Sequence, residues 1–158
     1  MIKIMFVCLG NICRSPMAEF VMRDLVNKKG ESENFFIRSS ATGTWELGNG
    51  VHYGTRKILD RLNISYKGKI SQPLKKSDYD KYDYIVGMDE YNRRDMLRLF
   101  GGDKDNKISL LLEYADLHRE VADPYYTGDF EATYKDVVLG TNALYEYIKQ
   151  KTDKNNWF

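Results

Sequence analysis

Short apolar runs alternate with stretches of helical periodicity along most of this chain, and this alternation constrains the fold more than any other feature. The apolar runs are rich in β-branched and aromatic residues and predict strands at residues 2–8, 35–39, 84–88 and 108–112. The intervening helical patterns lie at residues 15–29, 51–62 and 90–100. Strands that are separated by helices and have apolar centres favour a parallel sheet covered by helices on both faces. We therefore expect an α/β fold of three layers built on a four-stranded parallel sheet.

The C-terminal third predicts one further helix, which has the clearest periodicity in the chain. Its apolar face consists of Phe130, Tyr134, Val137, Val138, Thr141, Leu144, Tyr145 and Ile148. We interpret residues 42–50 as a turn-rich loop and residues 153–158 as a frayed end. A chain of 158 residues is long enough to bury a core without disulfides or metals, so we expect residues 1–158 to form a single domain.

Charge and cysteine usage narrow the class of protein. The net charge is +1, yet basic residues outnumber acidic ones by 13 to 6 over residues 1–76, which can mark an anion-binding side. The opening ten residues include Lys3 and have no cleavage site, so we expect neither a signal peptide nor a membrane span. The two cysteines, Cys8 and Cys13, lie in one predicted loop, which favours a reducing compartment. We expect a cytoplasmic protein with no nucleic-acid or membrane partner, although secretion without a signal peptide stays open.

The loop after the first predicted strand carries a cysteine, five further residues and an arginine. Its sequence is Cys8-Leu9-Gly10-Asn11-Ile12-Cys13-Arg14-Ser15. In open parallel sheets, ligands bind at the carboxyl ends of the strands, where a loop leads into a helix with free N–H groups. The loop nitrogens can surround phosphate oxygens while the guanidinium of Arg14 binds two of them. Because such a cradle also stabilises a thiolate, we predict that Cys8 is an ionised nucleophile beneath a bound phosphate.

Three neighbouring residues fit the same interpretation. Ser15 is a good helix N-cap before Pro16 at the first helical position, and its hydroxyl can donate to a departing cysteine sulfur. Asn11 is suited to hold the loop through contacts between its side chain and the backbone. Each residue alone is common in proteins without this chemistry, but their coincidence in a strand, loop and helix favours it. The GxxxxGK[ST] pattern is absent, so nucleoside triphosphate chemistry is not supported.

The string VCLGNICRSP at residues 7–16 resembles the signature of the low-molecular-weight protein tyrosine phosphatases. The resemblance extends over nearly the whole chain, including Asp123-Pro124-Tyr125-Tyr126, Trp45 and the GMDEYN segment at 87–92. It implies a flavodoxin-like or phosphatase I-like sheet of four parallel strands. It also implies two-step chemistry, in which Cys8 attacks phosphorus while Asp123 protonates the tyrosine oxygen, and water then hydrolyses the cysteinyl-phosphate. No metal or other cofactor is implied.

The resemblance also assigns a substrate pocket. It places Trp45, Tyr125 and Tyr126, with Leu9 and Ile12, around the mouth of the site, where aromatic walls would stack on a phenyl ring. The implied substrates are phosphotyrosine proteins or peptides, because the shorter phosphoserine would not bring its phosphorus to the sulfur. Inorganic phosphate, sulfate and vanadate are the implied inhibitors.

The chain departs from the family pattern at one position, and the resemblance implies a second role for one cysteine. Many relatives support the loop with Asn11, Ser15, Ser39 and a histidine, but Gly68 stands here where that histidine is expected, so we expect a rewired network. In the family, the cysteine beside the arginine can form a disulfide with the nucleophile, which would make Cys13 a redox partner. His52 and His118 have no metal-ligand spacing and are interpreted as ordinary polar residues.

Three alternatives to a tyrosine phosphatase fit the sequence less well. Arsenate reductases share the fold and the loop but need a further cysteine, and none follows Cys13. Protein arginine phosphatases typically carry a smaller threonine where this chain has Ile12, so tyrosine is favoured. A non-enzymatic anion-binding module is disfavoured by the intact Cys8 and Asp123.

Overall fold

A four-stranded parallel sheet forms the centre of the protein, whose computed structural model describes residues 1–155. The strands are β1 (Ile2–Cys8), β2 (Phe35–Ala41), β3 (Tyr84–Gly87) and β4 (Ile108–Leu110). Their order across the sheet is β2-β1-β3-β4, and each neighbouring pair is parallel. The predicted sheet is confirmed, and β1 lies inside it with a partner along each side.

Within the described residues there are six α-helices, of which the first four connect strands and the last two follow β4. They are α1 (Arg14–Lys28), α2 (Tyr53–Arg61), α3 (Asp78–Lys81), α4 (Glu90–Phe100), α5 (Pro124–Thr127) and α6 (Phe130–Asn155). Two short 3-10 helices lie at Ser32–Asn34 and Leu111–Ala115. The predicted face of α6 packs inward, with Val137, Thr141, Leu144, Tyr145 and Ile148 buried.

Two apolar cores lie on opposite faces of the sheet, because successive side chains of a strand point to opposite sides. Ile4 and Phe6 of β1 are fully buried in the core that includes α1 and α6. Met5 and Val7 belong to the other core, together with Met96 of α4. This three-layer arrangement matches the prediction and leaves the carboxyl ends of the strands open for a site.

The structure corrects the start of the first helix. Ser15 was predicted as its N-cap, but α1 begins at Arg14, with Cys13 in the cap position and no capping hydrogen bond from that side chain. The physical reason is that the Ser15 hydroxyl lies against the sulfur of Cys8 and the amide of Asn11 instead of the helix backbone.

Other boundaries differ by a few residues. β2 runs to Ala41, two residues beyond the prediction, and β4 stops at Leu110, where a 3-10 helix begins. The short helices were not predicted, since three to five residues show no helical period. Predicted fraying from Asp153 is wrong up to Asn155, because α6 continues to that residue; the remaining tail, 156–158, lies outside the described residues.

No helix of the described chain combines the length and apolar character needed to cross a bilayer. Within residues 1–155, no three His, Cys, Asp or Glu side chains are grouped so that they could hold a metal ion.

Candidate active site

The predicted phosphate loop lies at the carboxyl end of the central strand β1. Cys8 is the last residue of that strand and is only 3% exposed. Its sulfur accepts a hydrogen bond from the Asn11 backbone N–H at 3.3 Å and lies 2.9 Å from the Ser15 hydroxyl oxygen. Both groups can stabilise negative charge on the sulfur, because hydrogen bonds to an ionised acceptor are stronger than those to a neutral one.

Asn11 holds the loop in a conformation that L-residues rarely adopt. Its φ is 55°, in the left-handed region, where asparagine is among the few tolerated side chains. Three hydrogen bonds fix it there: Nδ2 donates to Ser15 Oγ at 2.8 Å and to Ser39 Oγ at 2.9 Å, and Oδ1 accepts from the Gln72 backbone N–H at 3.1 Å. The left-handed turn directs the Asn11 N–H at the sulfur of Cys8.

A buried carboxylate lies directly behind this network. Glu19, on α1, has a side chain that is 2% exposed and accepts a hydrogen bond from the Ser39 hydroxyl. It forms ion pairs with Arg23 on the same helix and with Lys69, whose Nζ lies 3.3 Å from Glu19 Oε1. A buried carboxylate is costly unless it is paired and hydrogen-bonded, and Glu19 has both kinds of partner.

Lys69, the residue after Gly68, belongs to the polar network behind the loop. Tyr66 to Lys69 form a turn closed by a backbone hydrogen bond of 3.1 Å, with Gly68 at its third position and a φ of 81°. The turn directs Lys69 inward, and its Nζ donates to the Ser39 carbonyl at 2.9 Å. Burial lowers the pKa of Lys69, and the charge of Glu19 partly offsets that effect. Lys69 therefore connects the turn that contains Gly68 with Ser39 and Glu19 behind the loop.

Arg14 is held in position from the side opposite to the loop. Its Nη1 donates to Asp89 Oδ2 at 2.8 Å and to the Val121 carbonyl at 3.0 Å, and its Nη2 lies 3.4 Å from Asp123 Oδ2. Burial alone would lower its pKa, but the negative charges of Cys8, Asp89 and Asp123 outweigh burial and raise it. The guanidinium is thus a permanent cation with a fixed direction.

Asp89 owes its position to the junction between β3 and α4. It is the N-cap of α4, where its carboxylate accepts from the Asn92 backbone N–H at 2.8 Å and Asn92 Oδ1 accepts in return from the Asp89 N–H at 3.1 Å. This capping box fixes the carboxylate that holds Arg14.

Asp123 begins the short helix α5. Its Oδ1 accepts a hydrogen bond from the Tyr125 N–H at 3.1 Å, which caps the helix, while Oδ2 is turned towards Arg14. Pro124 follows in the first helical position. The side chain of Asp123 is 23% exposed, so solvent or a ligand atom can reach it.

A cavity of about 360 Å³ joins these groups. It is lined by Cys8, Leu9, Gly10, Ile12, Cys13, Arg14, Trp45, Glu46, Asp123, Tyr125 and Tyr126. The structure therefore brings the predicted nucleophile, clamp, acid and aromatic residues to one site. The side chains of Asn11, Ser15 and Ser39 do not line the cavity. They hydrogen-bond to one another behind it and support the loop.

The aromatic residues form an open rim. Trp45 and Tyr126 are 80% and 78% exposed, and the rings of Tyr125 and Tyr126 meet edge to face at 5.5 Å. A Cβ atom at Gly43 would lie 3.0 Å from both Leu9 and Trp45, so the glycine leaves room for these two side chains.

His52 supports this rim from behind. Its backbone N–H donates to the Ile12 carbonyl at 2.8 Å, and its Nδ1 accepts from the Gly54 N–H, which caps α2. Its ring stacks on Phe130 at 5.1 Å and faces the edge of Tyr125 at 6.2 Å. The histidine predicted to be an ordinary polar residue connects the loop, α6 and the acid-bearing segment.

Cys13 lines the same cavity as Cys8 and is also buried. Burial and the neighbouring charge of Cys8 raise the pKa of the Cys13 thiol well above its usual range, despite the opposing effect of Arg14. Cys13 is therefore a protonated thiol at neutral pH, next to the predicted nucleophile.

Sequence reasoning missed four contributors to the site. Glu19 could have been found as a carboxylate on the buried side of α1, and Asp89 as the first residue of a D-x-x-N cap. Lys69 and Glu46 gave no local signal, because each lies in an irregular segment and reaches the site only through the tertiary fold.

The chain is similar over almost its full length to proteins of one family. Residues 3–154 match the model of the low molecular weight phosphotyrosine protein phosphatases. The chain is 41% identical over 154 residues to the low molecular weight protein-tyrosine-phosphatase YfkJ of Bacillus subtilis, covering 96% of this chain and 98% of YfkJ.

Solved structures agree. The crystal structure of YfkJ superposes with a TM-score of 0.92 at 40% identity, covering 96% of each chain. The structure of SP-PTP, a low molecular weight protein tyrosine phosphatase from Streptococcus pyogenes, gives a TM-score of 0.83 at 42% identity, covering 93% of each chain. This chain therefore belongs to the low molecular weight phosphotyrosine protein phosphatase family.

Proposed function

We propose that this chain hydrolyses protein phosphotyrosine through a cysteinyl-phosphate intermediate, with Cys8 as nucleophile, Arg14 as phosphate clamp and Asp123 as general acid and base. The observation that carries the proposal is the convergence of the Cys8 sulfur, the Arg14 guanidinium and the Asp123 carboxyl on one cavity. Family membership supports the same activity.

In the first step, the Cys8 thiolate attacks phosphorus and the bond from phosphorus to the tyrosine oxygen breaks. Asp123 gives its proton to that oxygen, so tyrosine leaves as a neutral phenol. Arg14 and the loop N–H groups bind the phosphoryl oxygens throughout, where charge accumulates in the transition state.

In the second step, Asp123 takes a proton from water, and the oxygen of that water attacks phosphorus. The bond between sulfur and phosphorus breaks, which releases phosphate and returns the Cys8 thiolate. Ser15 Oγ, 2.9 Å from the sulfur, donates a hydrogen bond that stabilises the departing thiolate.

Hydrolysis of para-nitrophenyl phosphate tests the proposal. The parent protein should turn over and be inhibited by vanadate, Cys8→Ser should be inactive, and Asp123→Asn should lose roughly 10²- to 10⁴-fold in kcat. Phosphate binding without turnover by the parent would instead identify a binding module.

Substrate class is tested with phosphotyrosine, phosphoarginine and phosphoserine peptides side by side. The open aromatic rim and the buried Ile12 in the lining support preference for an aromatic phosphoester. Equal or faster hydrolysis of the phosphoarginine peptide would contradict the tyrosine assignment.

A redox role for Cys13 is part of the proposal. Peroxide would convert the Cys8 thiolate to a sulfenic acid, and the Cys13 thiol would displace water from it to form a disulfide that a dithiol reduces. After prolonged exposure to peroxide, dithiothreitol should restore activity in the parent, whose disulfide protects the sulfur, but not in Cys13→Ser, whose sulfenic acid is oxidised further to the irreversible sulfinic acid. Equal recovery in both proteins would exclude the disulfide. A reversible disulfide of this kind is typical of redox-sensing proteins in the reducing cytoplasm, and we propose that compartment for this single-domain protein.

A further inference from the structure

A second cavity, of about 390 Å³, lies beside β2 at the outer edge of the sheet and shares no lining residue with the candidate active site. We call it the β2-edge cavity. Its cationic lining residues are Arg23, Arg38, Lys67, Lys69, Lys75 and Lys81, and its carboxylates are Glu19 and Asp78. Six positive charges thus face two negative ones, in a protein whose net charge is only +1.

Two of these cations are held unusually close together. Arg23 donates to the Ile37 carbonyl through Nε at 3.0 Å and Nη2 at 2.8 Å, and Arg38 donates to the same oxygen through Nη1 at 2.8 Å. The charge of Arg38 adds to burial in lowering the pKa of Arg23. The two guanidinium groups repel each other because both contact the same carbonyl oxygen. An anion that binds beside both would relieve this repulsion.

The carboxylates do not neutralise this excess. Glu19 is already shared between Arg23 and Lys69. Asp78 accepts a hydrogen bond from the Lys75 backbone N–H at 2.8 Å. Within residues 1–155, the charged groups of Arg38, Lys67, Lys75 and Lys81 form no ion pair.

The charge bias of the sequence also remains unexplained by the candidate active site. That cavity contains a single cation, Arg14, together with Glu46 and Asp123. Five of the six cations around the β2-edge cavity belong to residues 1–76, the part of the chain with the basic excess. They come from α1, β2, the turn at 66–69 and the stretch before α3, so they surround the cavity.

We propose that the β2-edge cavity binds an oligophosphate, an anion with two or more linked phosphate groups. Guanidinium forks match phosphate oxygens in geometry, and lysine side chains supply further point charges. Cations from four segments can contact several phosphate groups of one ligand at once, which a single orthophosphate does not offer. The volume is within the range of small-molecule sites.

Titration calorimetry with inorganic tripolyphosphate and, separately, with ATP tests the site and distinguishes a bare oligophosphate from a nucleotide. Removing a cation that hydrogen-bonds the ligand should weaken binding roughly tenfold or more. We expect that loss for Arg38→Ala and Lys75→Ala, and a larger one for the double variant. Arg14→Ala removes the phosphate clamp of the candidate active site, and it should retain the tripolyphosphate binding that Arg38→Ala and Lys75→Ala weaken.

Arg94→Ala/Lys135→Ala is the matched control, because it removes the same charges from exposed positions outside the cavity. Circular dichroism verifies that each variant is folded. The proposal is overturned if tripolyphosphate does not bind, if Arg14→Ala abolishes binding, or if the control weakens binding as much as the cavity variants. None of these outcomes depends on phosphatase activity.

Discussion

A chain of buried polar side chains connects a surface turn with the sulfur of Cys8. Its members, in order, are Lys69, Glu19, Ser39, Asn11 and Ser15. The backbone of the loop depends on this chain, because Asn11 keeps its left-handed conformation only while its side chain is held. Lys69 and Asn11 lie outside the secondary structure elements, whereas Glu19 and Ser15 belong to α1 and Ser39 to β2.

Replacing Lys69 with methionine should lower both stability and turnover. Glu19 would keep Arg23 as a partner but lose the second, more buried cation, at a cost of about 1–3 kcal/mol. Urea unfolding measures that cost, and steady-state kinetics should show a fall in kcat larger than any change in KM. Lys69→Arg, which keeps the charge, should recover most of the loss. If Lys69→Met behaves as the parent in both measurements, the turn does not support the loop.

The two cysteines should differ sharply towards iodoacetamide near neutral pH. Only a thiolate is alkylated, and the raised pKa of Cys13 keeps it protonated. Mass spectrometry should find one label, on Cys8, in the parent and none in Cys8→Ser. Labelling of Cys13 in the Cys8→Ser variant would show that its thiol is not suppressed by burial.

The residues that we propose for the chemistry could be predicted from the sequence, whereas those that position them mostly could not. Cys8 and Arg14 lie in one short string, so local spacing identifies them. Asp123 was found only through the resemblance to a family, since an Asp-Pro pair alone is a common turn. Lys69 reaches Glu19 across 50 positions of sequence, and no local pattern encodes that contact.

At the scale of elements, the contact between α6 and the 3-10 helix at Leu111–Ala115 is unusually close. A Cβ atom built at Gly140 would lie 2.4 Å from Leu111 Cγ, and Leu111 is fully buried. The glycine sits in the interior of a long helix, where alanine is ordinarily favoured by about 1 kcal/mol. Packing and helix propensity therefore oppose each other at this position.

We expect the steric clash with Leu111 to outweigh the gain in helix propensity. Gly140→Ala should therefore lower the free energy of unfolding in urea by about 1–3 kcal/mol. The double variant Gly140→Ala/Leu111→Ala is the control. The space vacated by Leu111 should make the alanine at 140 less costly there than in the parent background. If Gly140→Ala instead stabilises the protein, α6 and the 3-10 helix at Leu111–Ala115 can move apart without cost, and the predicted clash is wrong.

Long elements could be predicted and short ones could not. β1 begins and ends as predicted because it is one continuous apolar run, and α4 has the predicted bounds between its N-cap Asp89 and the C-cap Gly101. α3 and α5 span four residues each, too few to repeat a helical period. The Asp123 side chain caps α5 locally, but an Asp-Pro pair by itself does not distinguish a helix start from a turn.

For the molecule as a whole, tyrosine ionisation should limit stability in alkali. Burial raises the pKa of Tyr79, Tyr82, Tyr84 and Tyr114. Burial and the hydrogen bond to Glu31 raise the pKa of Tyr145 to about 12. Lys69 has the opposite effect on the pH dependence of stability, because burial lowers its pKa. It is a single group, whereas several tyrosines have raised pKa values.

The free energy of unfolding should therefore fall as the pH rises above about 10, the ordinary pKa of tyrosine. In that range the unfolded chain releases protons that the folded chain still holds, and the contribution of Tyr145 is lost as the pH passes through about 12. Denaturant titrations from pH 8 to about 12 measure the slope. Tyr145→Phe should show a shallower decline; an unchanged slope would exclude this residue as a source.

The position of Val121 and Asp123 near the C-terminal end has a consequence for synthesis. Cys8 and Arg14 leave the ribosome first, yet the carbonyl and carboxylate that face the guanidinium follow more than a hundred residues later. Chain elongation proceeds at about 5–20 residues per second, so a nascent polypeptide carries Cys8 for several seconds before Val121 and Asp123 are synthesised. The proposed active site can be complete only once translation has passed α5.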